Sequence, residues 1–240
     1  MKKLFSFLTI LILSASVNLI AQDPDEILEN YFEVIGQEKM LEFETFIYKG
    51  KIIQMGMELP MTMYQKRPAK ARMEAEIQGA KIIQVYDGEN GWSIIPMTGS
   101  MEPQDMGEDE TKSMKQMADI DGDLYNWKKK GFDLTLIGED DMEGTAVYKI
   151  KLVKPDGDEY IYYIDAENYV VLRVDSKIMM QGVQLETSST FSNFKPVSGI
   201  VMPYSVEQEM NGQVVMQIVF DSVELDAEIP DSMFEKPSTK

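Results

Sequence analysis

The sequence predicts a mainly β protein: a single curved antiparallel sheet, an unclosed β-barrel of about 10–11 strands, with an N-terminal helix and a helical lid insertion. Two observations carry this. From Leu41 onward, short runs rich in Ile, Val, Tyr, Phe and Met alternate with polar residues. They are cut by turn pairs such as Asp87-Gly88, Asn90-Gly91, Glu143-Gly144, Ser198-Gly199 and Asn211-Gly212. Alternation on one face is antiparallel behaviour, with one side covered and one side wet. No strand run alternates regularly with a helix, which argues against a doubly wound parallel sheet.

The first element is an address. Lys2 and Lys3 precede the apolar run Leu4–Leu13, and small and polar residues follow to Ala21, the pattern of a cleaved signal peptide over residues 1–21. The run is shorter than the roughly 20 residues a bilayer-spanning helix needs. Removing the leader takes away two lysines and no acids, leaving 21 basic against 41 acidic residues, a net charge of −20. Residues 22–240 then form one domain. Asp23 as N-cap, Pro24 at N1 and Glu26 at N3 open an amphipathic helix. Ile27, Leu28, Tyr31, Phe32 and Ile35 recur on its apolar side, and Gly36 offers a stop.

Strand stripes follow. Those with the clearest period are Tyr148-Ile150-Leu152, Val170-Leu172-Val174, Ile200-Met202-Tyr204-Val206 and Val214-Met216-Ile218-Phe220. The series breaks once, and the lid is expected at about residues 101–130. Glu108-Asp109-Glu110 at its start and Lys128-Lys129-Lys130 before Gly131 at its end complement a helix dipole. Asp121-Gly122-Asp123 between them predicts a kink or two shorter helices.

Composition excludes much chemistry. The 240 residues contain no His and no Cys, so there is no Ser-His or Cys-His nucleophile, no imidazole or thiolate metal ligand and no disulfide. A net charge of −18 argues against nucleic acid and anionic headgroups as partners. Carboxylates are plentiful, but they fall mainly in turns and on polar strand faces, a solvated surface more than a hydrolase pair. Asp119, Asp121 and Asp123 resemble a calcium loop, yet Gly122 comes one place early and no Glu stands at the twelfth position. The expected protein is not an enzyme and takes no cofactor and no metal.

Methionine is the unusual feature, with 19 residues. Met55, Met57, Leu59, Met61 and Met63 share one face of a strand pattern, while Met114, Met117 and Leu124 lie on the apolar side of the insertion. Each alone reads as core. Together, flexible thioethers on a curved sheet and on a lid predict an adaptable apolar cavity.

Order and spacing of several segments resemble the LolA-like outer-membrane lipoprotein-sorting proteins. Tyr64-Gln65-Lys66-Arg67-Pro68-Ala69-Lys70-Ala71-Arg72 is similar to that family's K-R-P-x-x-x-R segment. Val85-Tyr86-Asp87-Gly88 leading to Trp92 and Pro96 is similar to its V-x-D-G hairpin. Asp165 and Arg173, then Phe191-Ser192-Asn193-Phe194 before Gly199 and Pro203, extend the resemblance to Phe234-Glu235-Lys236-Pro237. It implies a periplasmic, monomeric carrier without covalent chemistry, release to the medium being the other destination the leader allows. Such a carrier takes lipoprotein acyl chains, or another lipid, from an inner-membrane release complex to an outer-membrane acceptor. It also implies that Trp92 lines the cavity and that Arg72 latches the lid, although alternation puts Arg72 on the polar face with Glu74 and Glu76. The alternatives are a binding module of the same fold that senses lipoproteins or envelope proteins through a partner, and a β-protein that fills its own cavity.

Overall fold

The computed structural model describes residues 23–180 and 182–238, so the expected signal peptide lies outside the described residues. Helix α1 (Pro24–Ile35) begins and ends as its residues dictate. Asp23 Oδ1 accepts the Asp25 backbone N–H at 3.0 Å, and Gly36 leaves the helix at φ 70°. A Cβ on Gly36 would stand 2.3 Å from the Gly199 carbonyl oxygen, so close approach and left-handed backbone both call for glycine. The single turn α2 (Gln37–Met40) follows.

The first strands are β1 (Thr45–Gln54), β2 (Met57–Lys66), β3 (Lys70–Ile77), β4 (Ala80–Tyr86), β5 (Gly91–Ile94) and β6 (Gln104–Asp105). After α3 (Glu108–Ala118) come β7 (Asp133–Met142), β8 (Thr145–Val153), β9 (Glu159–Asp165) and β10 (Val171–Met180). The last are β11 (Val183–Val197), β12 (Ile200–Met210) and β13 (Gln213–Leu225). All thirteen belong to one antiparallel sheet that does not close. The count exceeds the expected 10–11 because β5 and β6, four and two residues long, are too short to show alternation.

Strand order is β6-β5-β4-β3-β2-β1-β13-β12-β11-β10-β9-β8-β7, two meanders joined where β1 pairs with β13. The two sheet edges, β6 and β7, are therefore consecutive in the chain. The segment joining them must pass from one edge to the other, and it carries α3. Its helix is a single one that stops at Ala118, not the kinked helix or helix pair expected. Residues 119–131 continue mainly as turns, so Lys128-Lys129-Lys130 lie beyond the helix end, because Asp121-Gly122-Asp123 is too poor a helix sequence to carry it on.

Helices α1 and α3 lie on the same, inner face. Pairing registers trace two neighbouring cross-strand rows with opposite fates. Phe46, Gln65, Ala71, Tyr86 and Gly91 point inward; Ile47, Tyr64, Arg72, Val85 and Trp92 point outward. Among the described residues four register shifts adjust the pattern, and two of them bear on the inner face. Gly50 sits at one, where a Cβ would come within 2.1 Å of the Val219 carbonyl oxygen. Another, between Val171 and Arg173, breaks the expected Val170-Leu172-Val174 stripe, so that Val171 and Val174 pack on the inner core. Burial there is complete at Ile150, Leu152 and Ile164, each worth about 1.5–3 kcal/mol.

Candidate functional site

The inner face divides into three sectors. Over β7–β10, α1 and Leu124 seal a core of Ile27, Leu28, Tyr148, Ile150, Leu152, Tyr160 and Ile164. Over β3–β5, Met114 and Ala118 of α3 seal Ala71 and Tyr86. Between them β1, β2, β3 and β13 contribute Ile52, Leu59, Met61, Ala75, Ile218 and Phe220, an apolar floor formed by the sheet itself.

A hollow of about 520 Å³ lies under residues 116–124, within the roughly 300–1,000 Å³ range of small-molecule sites. Tyr31, Leu124, Tyr160, Tyr162, Val174, Ile178 and Phe191 give it apolar walls; Ser176, Thr187, Ser189 and Gln208 add hydroxyl and amide groups. A smaller hollow of about 210 Å³, lined almost wholly by apolar groups from Ile35 to Met202, shares Tyr31, Tyr162, Val174 and Phe191 with it. Burial, then the nearby Asp123 charge, pushes the Tyr162 phenol well above its ordinary value, and burial pushes Tyr31 up to about 12. Both rings therefore stay neutral and offer apolar faces with one polar tip.

The roof is held by ion pairs. Arg67 grips Asp121 with two hydrogen bonds of 2.8 and 2.7 Å and donates to the Phe43 and Met40 carbonyls, tying the insertion to the start of the sheet. Both side chains are largely sequestered, 17% and 19% exposed. The hydrogen bond to Asp121 holds the guanidinium pKa above its already high ordinary value, against the cost of burial. Lys154 pairs with Asp123 at 2.9 Å, Lys130 with Asp119, and Gln65 donates to the Met117 carbonyl. The acids that resemble a calcium loop thus meet three different side-chain cations.

Lys112 of α3 adds a fourth arm, 2.7 Å from Asp156 and 2.6 Å from Asp158 in the β8–β9 turn. Asp158 is 1% exposed; its Oδ1 accepts the Met179 N–H. Its Oδ2 lacks an aligned hydrogen bond, so the Lys112 ammonium serves it as a point charge. Burial opposes the charges of Lys112 and Asp156, but their mutual hydrogen bond outweighs it. The lysine pKa is raised and the Asp156 pKa lowered.

The residues expected to share one cavity are distributed. Leu124 lines the hollow. Leu59 and Met61 are buried in the inner floor, with Met63 half-buried beside them. Met114 is buried beneath α3 and Met117 packs at its edge, both against Ala71 and Tyr86. Met55 departs from the expected stripe: it occupies the β1–β2 turn at φ 50°, 91% exposed, because the hairpin reverses there. Met57 is 46% exposed beside it.

Trp92 faces outward, not into the cavity. It packs with Ile47, Val85, Ile229 and Phe234, and its indole N–H donates to the Phe234 carbonyl at 2.9 Å. Arg72 also faces outward, donating to Glu74 at 2.8 Å and to the Met233 carbonyl at 2.7 Å. Burial raises the Glu74 pKa, but hydrogen bonds from Lys81 and Arg72 outweigh it and hold the carboxyl below its ordinary value. The arginine that grips the insertion is Arg67, five residues earlier in the same segment. Sequence reading missed the Lys112 and Lys154 arms and the tyrosine walls. The available signals were a polar Gln65 interrupting an apolar face and the DxDGD run, each ambiguous without its partner.

Residues 129–174 match the family described as peptidase propeptide and YPEB domain. No curated protein matches the chain. Solved structures match nearly end to end. A LolA superfamily protein from Nitrosomonas europaea aligns at TM-score 0.61 and 14% identity, over 90% of this chain and 99% of that one. The fold is LolA-like. A putative outer membrane lipoprotein-sorting protein domain from Vibrio parahaemolyticus agrees, at TM-score 0.59 and 9% identity, over 88% of this chain and 97% of that one. A DUF1329 family protein from Desulfovibrio piger aligns at TM-score 0.61 and 14% identity, over 89% and 98%. Within this LolA-like fold, no described helix is long and apolar enough to cross a membrane.

Proposed function

We propose that the chain is an exported, periplasmic carrier that binds the acyl chains of lipoproteins, or another lipid, beneath the insertion and carries them towards the outer membrane. The observation that carries this reading is the 520 Å³ hollow between a sheet face that mixes apolar side chains with hydroxyl and amide groups and a roof held by ion pairs. Each acyl CH₂ withdrawn from water contributes about 0.8 kcal/mol, so affinity is easily reached. Release is the harder requirement. Desolvation offsets much of what the sequestered charge pairs contribute, so opening the roof costs chiefly the buried contacts of Met114, Ala118 and Leu124, which acyl chains can replace. Hydroxyl and amide groups on one wall suit an amphiphile whose polar end stays inside. In this reading the insertion is the lid, Arg67 its latch, an inner-membrane complex loads the protein and an outer-membrane acceptor unloads it. The protein works as a monomer and catalyses no reaction.

Mass spectrometry of organic extracts from the purified, processed protein tests the proposal. Acylated species should co-purify, and Leu124→Asp or Tyr162→Asp should remove them while the fold persists. A protein that comes out empty and takes up no fluorescent fatty acid would rule the carrier out.

A further inference from the structure

One end of the sheet differs from everything else on the surface. Registers place the β3–β4, β1–β2, β12–β13 and β10–β11 hairpin tips side by side at that end, with the connection after β5 next to them. Ten large hydrophobic side chains are exposed among the described residues, and seven sit here. Met55, Met57, Met179, Val183 and Val214 are on hairpin tips, at 91%, 46%, 50%, 60% and 54% exposure; Met97 and Met101 follow β5, at 58% and 73%.

The sequence around these tips carries no charge. Stretches 52–57, 77–80, 91–101, 178–185 and 210–220 contain no Asp, Glu, Lys or Arg in a chain that is 27% charged. Turns at the other end hold Lys66-Arg67-Pro68-Ala69-Lys70, Asp87-Gly88-Glu89 and Glu143-Gly144, the last preceded by Glu139-Asp140-Asp141 at the end of β7. The β8–β9 turn shares the uncharged end but keeps its acids, and these are bound to Lys112.

We propose that this uncharged rim docks on the surface of an electrically neutral lipid bilayer, inserting its methionine and valine tips among the headgroups. Charge selects this occupant. A protein of net charge −18 is repelled by anionic surfaces, and the rim is where that repulsion is weakest. The apolar groups also stand on separate tips instead of walling one pocket, and none of the seven is aromatic or Arg, the anchors that protein interfaces favour. Unbranched methionine suits a fluid partner. The inference rests on the fold and on exposure, and holds whether or not the hollow carries lipid.

Flotation of the processed protein with phosphatidylcholine–phosphatidylethanolamine vesicles tests it. Wild type should bind, and should bind vesicles rich in phosphatidylglycerol several-fold less. Combining Met55→Ser, Met57→Ser, Met179→Ser, Val183→Thr and Val214→Thr should weaken binding at least tenfold at an unchanged thermal midpoint. Val34→Ser with Leu41→Ser, exposed apolar sites elsewhere, should bind as wild type does. Because the chain has no cysteine, a polarity-sensitive dye on Met55→Cys reports position directly, and its emission should rise with vesicles while the same dye on Glu89→Cys stays unchanged.

Absence of wild-type binding, equal binding by the rim variant, preference for anionic vesicles, or a dye response at position 89 would each overturn the proposal. So would concentration-dependent dimerisation abolished by the rim substitutions, which would make a second copy the occupant. Fatty-acid uptake measured on the same samples separates this outcome from the carrier reading. A rim variant that takes up fatty acid but no longer floats breaks docking alone, and a protein that floats but stays empty breaks carriage alone.

Discussion

Two segments cover the same strands from opposite sides, and they are held by different physics. On the outside, residues 226–238 lie over Trp92, Val85 and Ile47, anchored by fully buried Phe234 and by Ile229 at 4% exposure. On the inside, the insertion lies over Ala71 and Tyr86 and adds to its buried Met114, Ala118 and Leu124 the ion pairs Arg67–Asp121, Lys154–Asp123 and Lys112–Asp158. Apolar burial is strong at all salt concentrations and has no partner to exchange with. The insertion's ion pairs are largely sequestered, so desolvation offsets much of their attraction and they contribute little net energy, while each charge can still exchange its partner for water on opening. The outer cover should therefore behave as part of the core, and the inner one should open more readily.

The largest effect should come from breaking the outer cover. Phe234→Ala removes a fully buried ring and should cost about 3–5 kcal/mol, seen as a large fall in the urea midpoint. Next comes the inner latch. Arg67→Ala should cost about 1–2 kcal/mol globally, since Asp121 is left unpaired but can reach water. Its mark is local: amide exchange across residues 108–124 should accelerate well beyond that of the strands. Arg72→Ala should leave exchange in the insertion unchanged and loosen residues 231–235 instead. Equal effects of the two arginines on the insertion would erase the contrast.

A smaller effect is expected from pH. Lys112 has a raised pKa, so its contribution is complete below about 10.5 and fades only at higher pH. Asp156 has a lowered pKa, so its contribution is complete above about 3.8 and is lost as pH falls through the depressed value. Protection factors in the insertion, that is, exchange corrected for its intrinsic pH dependence, should thus be flat from about pH 5 to 9 and fall in acid below about pH 4. A change centred near neutrality would contradict this arm of the latch. Least of all, Lys39→Ala, which removes an exposed i,i+3 pair with Glu42, should leave the urea midpoint unmoved.

How far each feature could be read depended on the range of its cause. Helix α1 was legible residue by residue, because Asp23, Pro24 and Gly36 act within a turn of themselves. The one-sided strands were legible, because side-chain alternation is local; short β5 and β6 and the 171–173 bulge were not, because two or four residues hold no period. Met55 was misplaced for the same reason: a stripe continues smoothly in sequence across a turn that reverses the chain.

By itself the sequence determined the fold class, the chemistry excluded by lacking His and Cys, and the uncharged stretches that become one rim. Tertiary structure alone decided which arginine holds the insertion. Arg67 and Arg72 share one short segment, and only the register and the path of the chain from β6 to β7 bring Asp121 to the first and Met233 to the second. A side chain's local pattern says which way it points. What it meets there is set by strands distant in sequence, and that is information no short window contains.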